Sequence, residues 1–293
     1  MHWTVGVAVA VLARFGDRQG LVRPLALPHV VVMSLSLGVT ARKADYAFIV
    51  PLAARSWAYE GFRPIVLVTG TKEAFIHNSK FIHEVRQVDG AVVMHLPTSR
   101  GAAVSIAQCA RLYASFLHGF PRHVRILMTD GDMAVMDGTY FKDNSDHVDA
   151  YYRYHTGQYF MHGMSADDTT WRNLTHTQLG VAVHEELGTC EFVAALEALL
   201  ARVFDYHGTQ IKHEDQLFTM DQILLTRALQ NVPVHMMQRG GRCDWAQRER
   251  CCDNNMADAH IWGFQRNQLD DLLKVATCTE SMNATWLKEW GHK

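Results

Sequence analysis

Between His29 and Met136 the chain repeats one alternation, in which short runs rich in β-branched residues are each followed by a longer amphipathic stretch. A strand of a parallel sheet is buried on both faces and reads as a continuous apolar run, and its return to the next parallel strand needs a crossover, usually a helix. The pattern therefore predicts strands over Val30–Ser34, Ile65–Thr69, Ala91–Leu96 and Val124–Met128. Together they imply an α/β fold, Rossmann-like, with a mixed but mostly parallel sheet flanked by helices. Gly101–His118 predicts the crossover before the fourth strand, its Val104, Ala107, Ala110, Tyr113, Ala114 and Leu117 forming one stripe against the sheet. Helical spacing returns in Phe192–Phe204 and Leu217–Leu229, so the C-terminal part is expected to be mainly helical. No fixed-period repeat or low-complexity stretch divides the sequence. Residues 1–293 are expected to form one domain, with 29–136 binding nucleotide and 137–293 forming the acceptor-binding and C-terminal half.

Charge removes one class of partner. Lys plus Arg total 28 against 30 Asp plus Glu, a net charge of -2, which lacks the basic footprint of a phosphate-backbone binder. No nucleic acid is expected. The longest apolar run, Val5–Ala13, falls short of the roughly 20 residues of a membrane-spanning helix, so no stable span is expected either. Cys243, Cys251, Cys252 and Cys278 crowd the last quarter without the paired two-residue spacing of a zinc site, which favours disulfides there. Asn173-Leu174-Thr175 and Asn283-Ala284-Thr285 fit the N-glycosylation pattern and, with the cysteines, suggest a secretory lumen. The lack of a convincing anchor weighs toward the cytoplasm.

The most informative stretch follows the fourth expected strand. Ile126-Leu127-Met128-Thr129 leads into Asp130-Gly131-Asp132, placing two carboxylates at a strand's carboxyl end, where open α/β sheets bind ligands. Paired hard oxygen ligands suit Mg²⁺ or Mn²⁺, while the same three residue types also make an ordinary turn. Two enzyme classes use such a pair. A haloacid-dehalogenase-type phosphatase takes the first aspartate as nucleophile, but on its first strand and with a Thr or Val where this chain has Ala134. A nucleotide-sugar glycosyltransferase of the GT-A fold carries Asp-x-Asp at the end of a mid-domain strand, which matches the position here.

Further segments resemble retaining glycosyltransferases of the glycogenin and lipopolysaccharide galactosyltransferase type, glycosyltransferase family 8. They are Thr40-Ala41-Arg42-Lys43-Ala44-Asp45-Tyr46 after the first strand, Ala110-Arg111-Leu112 before the acidic motif, Met220-Asp221-Gln222-Ile223-Leu224-Leu225, and His260-Ile261-Trp262-Gly263-Phe264-Gln265-Arg266, with Arg266 where the family has lysine. The segments occur in the family's order from about Val30 to Arg266.

The resemblance implies a GT-A fold and a hexosyltransferase moving sugar from a nucleotide donor, UDP-linked, to a carbohydrate or glycoconjugate hydroxyl. Asp130, Asp132 and His260 would ligate Mn²⁺ or Mg²⁺. Thr40, Ala41, Asp45, Tyr46, Arg111, Gly263 and Arg266 would hold the donor. Asp221 and Gln222 would lie beside the anomeric carbon, giving retention. Glu214-Asp215-Gln216 competes with them, because it is similar to the segment that supplies the base in inverting GT-A enzymes and would make Asp215 that base. The aromatic stretch Tyr151–Phe160 reads as packing or an acceptor wall, and the loops over 147–177 and 237–255 are expected to meet the acceptor. Two alternatives stay open beside this reading: a phosphatase-like hydrolase built on Asp130 and Asp132, and a non-catalytic nucleotide- or sugar-binding protein that keeps the fold without turnover.

Overall fold

The structure, a computed structural model, describes residues 29–37, 46–98, 103–116, 125–143, 150–153, 159–162, 164–165, 193–194, 196–198, 221, 235–236, 241–244, 251–252, 256–261 and 263–291. The four expected strands are present as β1 (His29–Ser36), β2 (Arg63–Gly70), β3 (Val92–Pro97) and β4 (Arg125–Met128). They form a sheet of order β3-β2-β1-β4 in which all neighbours run parallel. A short strand β8 (Met164–Ser165) adds antiparallel to β4, so the sheet is mixed at one edge only. The register pairs Val30 with both Arg63 and Ile126. β1 therefore lies in the middle, and Val30, Val31, Val32 and Met33 are fully buried, as expected for a strand covered on both faces.

Helix α1 (Tyr46–Tyr59) connects β1 to β2 and is buried on nearly every side. Val50, Ala53, Ala54 and Trp57 join the core between the sheet and helix α3 (Ser79–Arg86), which follows the short α2 (Lys72–His77). On the other side Phe48, Ile49 and Leu52 pack into a second core with Ala259, Ile261, Phe264, Leu272, Met282 and Trp290. Being enclosed by two cores explains a departure from expectation: Pro51 should kink or break this helix, yet the helix runs through it. Pro51 cannot donate to the carbonyl of Ala47. One residue on, the Phe48 carbonyl accepts the Trp290 indole N–H at 3.1 Å, and the Phe48 ring stacks on Phe264 and Trp290. Packing from both sides outweighs a local cost of roughly 3 kcal/mol.

The crossover before β4 is shorter in its α-helical part than its periodicity implies. Helix α4 (Ala103–Ala110) gives way at Arg111 to a 3₁₀ turn (Arg111–Phe116), and Val104 is only half-buried while Ser105, Ile106 and Cys109 are buried. After β4, β5 (Met133–Val135) and α5 (Gly138–Asp143) follow. The segments expected to be acceptor loops contain strands: β6 (Ala150–Arg153) pairs antiparallel with β7 (Tyr159–His162) and parallel with β9 (His235–Met236). Tyr-rich sequence suits such a pleated ladder. The second expected loop contains β10 (Gly241–Asp244), which pairs parallel with β11 (Met256–His260), and β11 pairs antiparallel with β5. The described chain ends in α6 (Leu269–Ala276) and α7 (Ala284–Gly291), which close the second core. The helices expected over 192–204 and 217–229 lie largely outside the described residues, where 193–194, 196–198 and Asp221 are helical and Leu196 is buried as its stripe requires. No described helix is long and apolar enough to cross a membrane.

Candidate active site

The strand order makes the gap between β1 and β4 the switch point of the sheet, because β1 connects outward to β2 on one side while β4 joins it from the other. A crevice opens at the carboxyl ends of such a strand pair. Asp130-Gly131-Asp132 turns there, with Thr129 still held to β1 by its N–H to the Val32 carbonyl at 2.9 Å. Gly131 is fixed by space: a Cβ at this position would sit 2.8 Å from the Ser34 carbonyl oxygen and 3.0 Å from Val50 Cγ2. No larger residue fits between β1 and α1 without moving one of them. The middle residue of the motif therefore has a structural reason that the reading of its flanking acids did not supply.

Beyond the turn the chain enters β5, and the β5–β11 ladder pairs Met133 with His260. The Ile261 N–H donates to the Asp132 carbonyl at 2.9 Å, extending that ladder to the motif itself. Two residues 128 positions apart in sequence thus become neighbours: His260 Nε2 lies 3.6 Å from Asp132 Oδ2. Asp130, Asp132 and His260 each offer one ligand atom, all within 4.8 Å of one another. Two carboxylate oxygens and an imidazole nitrogen, partly shielded from solvent, form a donor set suited to a divalent ion such as Mn²⁺ or Mg²⁺.

Arg111 stands behind this group. It is buried at the α4–3₁₀ junction, where Nη1 donates to the Thr129 carbonyl at 2.8 Å and to Asp130 Oδ1, and Nη2 donates to Asp221 Oδ2 at 3.0 Å. Burial alone would pull its pKa down. The negative charges of Asp130, Asp221 and Asp132 outweigh that penalty, so its pKa stands above the ordinary arginine value. Asp221, 110 residues away, is thereby brought to the Asp130–Asp132–His260 group, with 16% of its side chain exposed. The buried Cys109 thiol lies in the same field, its pKa pushed well up by burial and then by Asp221.

Tyr46 opens α1 facing the acidic pair. Burial, then the charges of Asp132 and Asp130, raise its phenol pKa, which keeps it a protonated hydrogen-bond donor. Gly263 adopts φ +69° just past β11, and Arg266 begins a 3₁₀ turn with its guanidinium 5.3 Å from the ring of Phe48, two residues after Tyr46. Of the other expected site residues, Thr40, Ala41, Asp45, Asp215 and Gln222 lie outside the described residues.

Sequence reasoning missed the residues that hold β5 in place. The Trp57 indole N–H donates to the Met133 carbonyl at 2.9 Å, and Ser56 Oγ accepts the Val135 N–H at 3.0 Å while donating to the Ala53 carbonyl. Their signal was a hydroxyl and an indole in a helix buried on nearly every side, since buried polar atoms need partners.

No protein-family model and no curated protein matches this sequence. Among solved structures the chain is similar to the apo form of the WbbM bifunctional glycosyltransferase, with 13% identity, 92% of this chain covered and a TM-score of 0.45, and it spans only 52% of that chain's length. It is also similar to apo mouse xyloside xylosyltransferase 1, at 10% identity over 79% of this chain and 97% of that one, with a TM-score of 0.39. For HddC from Yersinia pseudotuberculosis the values are 12%, 42% and 57%, with a TM-score of 0.27.

Proposed function

We propose that the chain is a metal-dependent glycosyltransferase that moves a hexose from a nucleotide sugar, UDP-linked, to a hydroxyl of a sugar or glycoconjugate, with retention of configuration. The observation that carries this reading is the convergence of Asp130, Asp132 and His260 within 4.8 Å at the carboxyl ends of β1 and β4. Those three residues would hold Mn²⁺ or Mg²⁺. When bound, the ion would neutralise negative charge developing on a diphosphate leaving group.

The remaining roles follow from what each side chain can do. Arg111 holds Asp130 and Asp221 in one arrangement, so the two carboxylates would meet the donor pre-positioned. Tyr46 supplies a phenolic donor beside the acidic pair and, with Thr40, Ala41 and Asp45, forms the proposed nucleoside-binding edge. Gly263 and Arg266 form the proposed diphosphate-binding edge, the guanidinium being able to grip phosphate with two parallel hydrogen bonds. Asp221 gives one carboxylate oxygen to Arg111. Gln222 is the neighbour proposed to face the anomeric carbon, orienting the reacting groups while the leaving phosphate takes the acceptor proton on the same face.

Thermal stabilisation by a panel of nucleotides, with and without Mn²⁺, tests the reading. UDP is expected to raise Tm only when Mn²⁺ is present. Asp132→Asn and His260→Ala are expected to lose both that shift and transfer while remaining folded. Indifference to every nucleotide would overturn the proposal, and near-normal turnover in either variant would remove that residue from the ligand set.

A further inference from the structure

We propose that Asn283 carries an N-linked glycan and that this chain matures in an oxidising secretory lumen. Two independent features point there, and neither depends on the transfer reaction.

The first is the pairing of the clustered cysteines. Cys243 bonds to Cys251 and Cys252 to Cys278, across separations of 8 and 26 residues, while Cys109 remains a buried thiol. Disulfides persist where the redox poise is oxidising and are rare in the cytosol. Each bridge forms as two thiols lose two protons and two electrons, the electrons passing to a disulfide oxidant of that lumen. The bridges also occupy a consequential place. Cys243 lies on β10, one residue before Asp244, which pairs with His260 on β11. The adjoining Cys252 bonds to Cys278, two residues past the end of α6. Together they brace the small sheet that presents His260.

The second feature is the acceptor triplet itself. Asn283 and Thr285 are both exposed, and Asn283 sits at φ 43° in the turn between the 3₁₀ segment Glu280–Met282 and α7. Asn283 Oδ1 accepts the Trp286 N–H at 3.0 Å as the cap of α7. That bond engages the carboxamide oxygen and leaves the nitrogen, the atom that glycosylation uses, outside it. Glycosylation forms a bond from Nδ2 to C1 of the first sugar and breaks the bond from C1 to the diphosphate of a lipid-linked oligosaccharide, with one amide proton released. A glycan there would stay clear of the acidic group. Ser281 Oγ donates to the Val135 carbonyl at the far end of β5 from Asp132, roughly 10 Å along the strand at the usual rise per residue.

The test expresses the full chain with an entry signal for a eukaryotic secretory route and maps peptides from whole-cell extract, so secretion itself is not required. Digestion with a glycan-removing amidase is expected to convert Asn283 to aspartate. Alkylation before reduction is expected to leave Cys243, Cys251, Cys252 and Cys278 unlabelled, and alkylation after reduction to label all four. Thr285→Ala should remove one glycan's mass while keeping the Asn283 cap, so loss of the band shift cannot be assigned to misfolding. It should leave transfer unchanged. An unmodified Asn283 in the wild-type chain, or four alkylated thiols before reduction, overturns the proposal.

Discussion

Replacing Arg111 with methionine removes the guanidinium that joins Asp130 to Asp221 while keeping most of the side-chain volume. The Arg111 side chain is 10% exposed, that of Asp221 16% and that of Asp130 24%. Breaking a buried ion pair from one side costs about 3–5 kcal/mol, because the partner's charge is left uncompensated. Partial access of solvent to Asp130 brings the expected loss to about 2–4 kcal/mol. For a chain of this size that corresponds to a fall in Tm of roughly 3–7 °C. The informative assay is a double-mutant cycle in chemical denaturation, using Arg111→Met, Asp221→Asn and both together. Neutralising Asp221 removes one of the two charges that Arg111 serves, so the double variant should be more stable than the sum of the single losses predicts, by about 1–2 kcal/mol. Mn²⁺ should also raise the Tm of Arg111→Met more than that of the wild type, since a dication would compensate Asp130 in the missing cation's place. Additive losses within about 0.5 kcal/mol would refute the coupling of the two acidic segments through Arg111.

Two glycines should separate space from backbone conformation. Gly131→Ala puts a methyl against the Ser34 carbonyl and Val50, and is expected to cost about 1–3 kcal/mol and to slow transfer about a hundredfold by shifting the acidic turn. Gly263→Ala meets no atom within 4 Å and pays only for its φ of +69°, roughly 1 kcal/mol; if denaturation midpoints rank the two the other way, the close approach at Gly131 is wrong. His95 is half-buried against Phe75, and burial lowers its pKa more than its hydrogen bond to the Gly70 carbonyl raises it. The unfolded chain therefore binds the proton more readily, and the stability His95 contributes is complete above the unfolded pKa of about 6.5 and is lost as pH falls from there through the lower folded pKa. The His95→Phe variant should accordingly show a shallower stability loss than wild type between about pH 7.5 and pH 5.5; parallel curves would count against this role. For stereochemistry, Gln222→Ala should reduce kcat far more than it weakens donor binding, with Asp215→Asn milder and the α-configured donor giving an α-linked product. A β-linked product together with an inactive Asp215→Asn enzyme would reassign the base to Asp215.

The sequence by itself determined the parallel sheet. Runs such as Val30-Val31-Val32-Met33 and Ile65-Val66-Leu67-Val68 can satisfy their burial only as central strands, and each begins and ends within a few residues of its expected bounds. It also placed Asp130 and Asp132 at a strand end, because a strand's close and the polar turn after it are local features. Other outcomes were beyond local pattern. Pro51 should stop a helix, and only the two cores meeting around α1 reverse that expectation. The change of winding at Arg111, the strands inside 150–165 and the clearance that requires Gly131 also depend on neighbours distant in sequence. So does the cluster itself: His260 reaches Asp132 through the β5–β11 ladder, and Asp221 reaches Asp130 through one guanidinium. Periodicity records which face of an element is apolar. Which two elements then meet is decided by closure of the chain over more than a hundred residues, where packing and charge compensation act together and no short segment carries the answer.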